Sequence, residues 1–149
     1  MIVILGILAA TALPRFVALS GDARYASMMA ARGALLSVAA TTHGQFLING
    51  KTTQDLEGTS VPLTYGYPSA VQATADAAGL GSDFTVYTKV SGPTATTPNT
   101  TAGSMSIVHN SVAGTSKAID CYLVYTASLT PGGVPKVAVG GNTTAARCT

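Results

Sequence analysis

The chain has 149 residues, of which 47% are hydrophobic and only 9% charged, with a formal net charge of +2. Average chains carry about 25% charged residues. Here Arg15, Arg24, Arg32, Lys51, Lys89, Lys117, Lys136 and Arg147 are scattered along the sequence, which excludes the basic stripe of a nucleic-acid binder. The polar material is Thr, Ser, Gly and Asn, with 21 threonines, and a neutral surface of this kind repels its own copies only weakly.

Met1 to Leu13 carries no charge, and Pro14 and Arg15 follow. As a helix the stretch reaches about 20 Å at 1.5 Å per residue, whereas a bilayer needs about 20 residues. Three readings fit an apolar stretch of this length. One is a signal-peptide core, although the usual basic start is missing and Ile2 follows Met1 directly. Another is a buried core helix. The third is a spanning helix whose first turns would precede Met1.

The residues after Pro14 favour the third. Pro14 removes a helical hydrogen bond and kinks or ends a helix, yet the pattern resumes at once. Met28, Ala31, Leu35, Val38 or Ala39, Thr42 and Phe46 recur at spacings of three and four, which is one apolar stripe. Asp22, Arg24 and Arg32 are expected to lie away from it. Alanine, the strongest helix former, fills much of the rest, and Asn49-Gly50 supplies a left-handed cap. The expectation is one helix of nearly 50 residues kinked at Pro14, about 70 Å long. A domain of this size has a radius of gyration of about 15 Å, so the apolar half must project into lipid or against copies of itself.

At this point the chain resembles a family. "IVILGILAATALPRF" is similar to the N-terminal segment of type IV pilins, and "VALSGDAR", "LTYGYPSA" and the late cysteine pair look most like the mannose-sensitive haemagglutinin (MSHA) pilins. In that family a basic leader ends in Gly, mature chains begin at an N-methylated Phe, and a Glu follows four residues later. Counting back from Pro14, about eight mature residues are expected before Met1, the shortfall that the bilayer length also gives.

The resemblance implies an α+β fold, with the long helix packed on a C-terminal antiparallel sheet of about four strands. It implies a filament-core or membrane helix built from Ile2, Val3, Ile4, Leu5, Gly6, Ile7, Leu8, Leu13 and Pro14. It also implies a disulfide between Cys121 and Cys148 that staples the C-terminal loop to the sheet. The implied partners are copies of the chain in a homopolymeric filament, the inner membrane before assembly, a prepilin peptidase with the pilus assembly machinery, and surface or glycan receptors. The implied location is an extracellular pilus on the bacterial surface serving adhesion and biofilm formation. A type II secretion pseudopilin and a secreted carbohydrate- or surface-binding module are the alternatives.

The organisation expected is residues 1–14 as the apolar segment, 15–50 as the amphipathic half of the same helix, 51–81 as a connecting loop with a short helix, and 82–149 as the sheet. Within the connector a short strand is expected at Val61–Tyr65. "SAVQATADAAGL" reads as a helix with Ser69 as N-cap and Gly79 past its end. Four alternating runs follow, Phe84–Val90, Ser104–Asn110, Cys121–Ala127 and Val134–Gly140, separated by turn-rich segments. One-sided alternation predicts an antiparallel sheet with one covered face. Read from composition alone, Cys121 and Cys148 suggest one disulfide in an oxidising compartment, worth roughly 3 kcal/mol; two unrelated buried thiols are the other reading.

The inventory for catalysis is thin, and no enzyme, cofactor or metal is expected. His43 near a helix end and His109 at a strand end read as structural polar residues. Asp55 and Glu57 are too few donors for calcium. Tyr65 and Tyr67, flanking Gly66, are expected to pack against the body. There is no phosphate loop, Cys/His metal spacing or nucleophile motif.

Overall fold

A computed structural model of the protein describes residues 2–89 and 92–149, and it places side chains outside residues 2, 5 and 7–18. The fold is α+β. One long helix, α1 (Ile2–Asn49), is followed by three short strands, β1 (Thr53–Leu56), β2 (Thr59–Thr64) and β3 (Tyr67–Pro68). Then come a short helix, α2 (Gln72–Ala77), and four strands, β4 (Phe84–Tyr87), β5 (Ser104–His109), β6 (Leu123–Thr126) and β7 (Lys136–Val139). The strands form two antiparallel sheets in sequential order, β1-β2-β3 and β4-β5-β6-β7. Short 3₁₀ turns occupy Ser116–Ile119 and Ala145–Cys148.

The helix runs 48 residues and continues through Pro14. Its predicted stripe is the buried face: Met28, Ala31, Leu35, Val38, Ala39 and Thr42 are all buried, and Phe46 is half-buried. Thr42 sits there without cost because its hydroxyl donates to the Val38 carbonyl at 2.8 Å, so no polar group is stranded. Gly50, at φ 65°, ends the helix and donates its N–H to the Phe46 carbonyl at 2.8 Å, as a left-handed cap requires.

The four-stranded sheet carries the main core. Met28 and Leu35 belong to one buried cluster with Met105 and Ile107 of β5, Leu123 and Tyr125 of β6, and Val137 of β7, and Val108 on the other face of β5 is part of the same cluster. The four expected runs contain these four strands. Val90, at the end of the first run, lies outside the described residues. The expectation of one covered face needs correction at β5, which is buried on both sides. The Ser106 hydroxyl donates to the Asn99 carbonyl at 2.9 Å, and Thr100 beside it is buried. The loop before β5 folds back over the second face, so small serines alternate there without meeting water.

The stretch expected as a connector is also more ordered than its composition suggests. Residues 51–81 hold a three-stranded meander as well as the short helix. Both hairpins turn on two residues with positive φ: Glu57 (48°) with Gly58 (83°), and Tyr65 (53°) with Gly66 (83°). That is the hairpin turn whose twist matches paired strands, but Asn or Asp normally fills its first position. Ser69 is not the N-cap of α2. The cap position is Val71, with no side-chain cap hydrogen bond. The Ser69 carbonyl instead accepts from the Thr74 hydroxyl at 2.6 Å, and its own hydroxyl lies 2.7 Å from that of Thr64. Gly79, at φ 72°, follows the helix as expected.

Candidate functional site

The long helix is the element on which the sequence reading places function, so its hold on the head decides what its two halves can do. The described contacts between the helix and the head include those at Gly21, near one end of the held stretch, and at Asn49, at the other. A Cβ on the buried Gly21 would sit 2.5 Å from the Ala145 carbonyl oxygen, so only glycine lets the helix approach the C-terminal turn this closely. One turn on, Arg24 donates from Nη1 to the Cys148 carbonyl at 2.6 Å and from Nε to the Ser111 hydroxyl at 2.9 Å. Arg32 donates from Nε to the Val137 carbonyl at 3.0 Å. Both arginines therefore correct the sequence expectation: they flank the apolar stripe and reach the head with long stems. Helical position alone cannot reveal this, because a long side chain can reach beyond its own face.

Cys121 and Cys148 form a disulfide, with Cα atoms 5.1 Å apart, and both residues are fully buried. The bridge ties the segment just before β6 to the Ala145–Cys148 turn. Cys121 Sγ lies 3.9 Å from Met28 Sδ, so the bridge also packs under the helix. Arg147 pairs with Asp120 at 3.2 Å across the same junction, and Lys117 reaches the Thr149 carbonyl oxygen. Exposed pairs of this kind are worth about 1 kcal/mol or less. The covalent bridge and the close helix contact carry the junction.

The far end of the helix is held differently. His43 lies flat on Tyr67, with ring centroids 4.0 Å apart and planes 4° from parallel. Its Nδ1 faces the Gly66 carbonyl at 3.0 Å, and a carbonyl only accepts, so Nδ1 carries the proton. Phe46 lies against Gly66, where a Cβ would come within 2.6 Å of its ring. His43 is thus a positioning residue for the meander, a specific form of the structural role read from sequence. Tyr67 packs as expected, while Tyr65 is about half exposed. Asn49 and Gln54 exchange two amide hydrogen bonds of 2.8 and 3.0 Å, closing the corner between helix and β1.

The remaining candidates are dispersed. His109 Nδ1 lies 2.8 Å from the Ser111 hydroxyl, and its ring sits edge-on to Phe84. Asp55 lies in β1 and Glu57 in the adjoining turn. Among the described residues no group of three or more His, Cys, Asp or Glu side chains is placed to hold a metal. Burial pushes the Tyr125 phenol well above its usual range, and its hydroxyl donates to the Pro68 carbonyl at 2.7 Å. Burial also raises Tyr122, with a smaller contribution from the Asp120 carboxylate.

Of the predicted filament-core residues, Val3 (73% exposed), Ile4 (65%) and Gly6 lie exposed on the helix. The side chains of Ile2, Leu5, Ile7, Leu8, Leu13 and Pro14 lie outside the described residues. Leu19 is also exposed, at 59%. Among the described residues no helix is long and apolar enough to cross a membrane. No protein-family model, no curated protein and no solved structure matches the chain.

Proposed function

We propose that the chain is a structural subunit of a type IV pilus, of the MSHA type, polymerising through α1 into a surface filament. The observation that supports this best is the division of one 48-residue helix. From Gly21 onward its apolar stripe is spent on the head, with Leu36, Leu47 and Ile48 exposed off that stripe, whereas on the N-terminal side Val3, Ile4 and Leu19 stand exposed. Large exposed apolar surface on a projecting element calls for a partner, and the sequence resemblance supplies the kind: the same segment of neighbouring copies. In this reading a bundle of Ala/Ile/Leu helices and the lipid it replaces are similar solvents, so passage between them is nearly neutral in free energy. The head, with its Thr-rich neutral surface and disulfide-stapled C-terminal turn, faces outward and carries adhesion.

The test is to delete the gene, shear the cell surface of mutant and parent, and examine the sheared material by electron microscopy and mass spectrometry. Thin filaments containing this chain in the parent and missing from the mutant are expected. Filaments unchanged by the deletion would overturn the reading.

A further inference from the structure

A slot of about 320 Å³ lies between α1 and the β7 edge, lined by Tyr25, Met29 and Arg32 of the helix and Val137, Ala138 and Val139 of the strand. Among the described residues β7 is an end strand, paired with β6 alone. Which of its backbone groups are free follows from the ladder. Gly140 donates its N–H to the Tyr122 carbonyl at 2.9 Å, which makes that pair hydrogen-bonded. Antiparallel pairs alternate, and Val139 opposes Leu123 while Val137 opposes Tyr125. Val137 and Val139 therefore turn their N–H and C=O groups away from β6, into the slot. The Arg32 bond to the Val137 carbonyl independently fixes the same phase.

Arg32 fills only part of this edge. It caps one carbonyl and leaves the Val137 N–H and both Val139 groups facing the slot. Its Nε is engaged, so the guanidinium keeps further N–H donors in the fork that suits a carboxylate. None of the described residues lining the slot is acidic, and Lys136 adds a second cation at the start of β7. Tyr25 and Met29 supply an apolar wall on the helix side. An open strand edge facing a helix across an apolar slot is the arrangement that accepts an extended peptide as an added strand.

We propose that this slot binds an extended segment of another protein, which pairs with β7 at Val139, places alternate apolar side chains on Tyr25 and Met29, and sets a carboxylate on Arg32. The inference concerns the head alone and does not depend on the filament reading.

The probe is a terminally blocked heptapeptide of alternating valine and threonine with one central glutamate, titrated into the isotopically labelled full chain and followed by amide NMR shifts. Shifts confined to residues 136–140 and to Tyr25, Met29 and Arg32, which line the slot, are expected. Replacing the peptide glutamate by glutamine, or Arg32→Gln, is expected to weaken binding about tenfold or more, as loss of a charge-assisted bond does. Val139→Pro removes an N–H that the β6 ladder does not use, a substitution edge strands tolerate, and is expected to abolish binding. The same peptide N-methylated along its strand-facing edge is expected not to bind; this control stands even if Val139→Pro does not fold. Shifts elsewhere on the molecule, binding unchanged by N-methylation, or no shifts at millimolar peptide would overturn the proposal. Self-association of the chain through β7 without peptide binding would overturn it as well.

Discussion

The two sheets grip the same helix by different physics. The four-stranded sheet buries Met105, Ile107, Leu123 and Tyr125 against Met28 and Leu35, and a disulfide reinforces that junction. The three-stranded meander buries little large apolar surface beyond Val61 and Pro68; it is held by the His43–Tyr67 stack, the His43–Gly66 hydrogen bond and the Asn49–Gln54 amide pair. Apolar burial is non-directional and scales with area, so the first grip tolerates adjustment and is strong. The second depends on a few directional contacts and is weaker, so the meander belongs at the low-stability end of the molecule.

The comparison breaks most readily at the core. Leu35→Ala should cost about 3–4 kcal/mol, since Leu35 is fully buried and its loss leaves a cavity. Chemical denaturation should show a lower midpoint and loss of both sheets together. Replacing Cys121 and Cys148 by Ala should cost about 3.5 kcal/mol by the chain-entropy estimate for a sequence separation of 27, measured the same way under non-reducing conditions. A loss under 1 kcal/mol would mean that the close contact at Gly21 holds the C-terminal turn unaided.

His43→Ala should cost about 1–2 kcal/mol, but locally. Hydrogen exchange should quicken in β2 and β3 while β5 and β6 stay protected. Equal loss of protection in both sheets would refute the two-grip description. The smallest effect, about 1 kcal/mol, is expected from Tyr125→Phe, which removes the one described side-chain bond from β6 to β3. The same phenol links stability to pH. Its folded pKa is raised, so its contribution is complete below the unfolded value of about 10 and declines as pH rises beyond it. The Phe variant should flatten that alkaline decline in a thermal-melt series.

Sequence and structure agree where burial sets the pattern. The stripe from Met28 to Thr42 was legible because a helix on a sheet must repeat at three and four. Strands β4 to β7 were legible because alternation marks a face. The meander was mostly hidden, because its strands are short and its turns set Glu57 and Tyr65 where Asn or Asp would signal a hairpin. The reach of Arg24 and Arg32 was hidden too, since a charged residue beside an apolar stripe looks the same whether it meets water or a carbonyl. The apolar N-terminal segment was plain as a composition from Met1 to Leu13. The meaning of that segment rests on the likeness to pilins rather than on any contact.

The close packing at Gly21 has a mechanical consequence. A pull on α1 from its N-terminal side enters the head at the Gly21–Ala145 contact and the Arg24–Cys148 hydrogen bond before it reaches the core. Without a crosslink the Ala145–Cys148 turn would peel away strand-end first. With Cys148 bonded to Cys121, the load passes through a covalent bond into the chain leading to β6 and spreads across the sheet as shear. The staple therefore sits in the load path beside the Gly21 contact, and it turns a hinge into a tether.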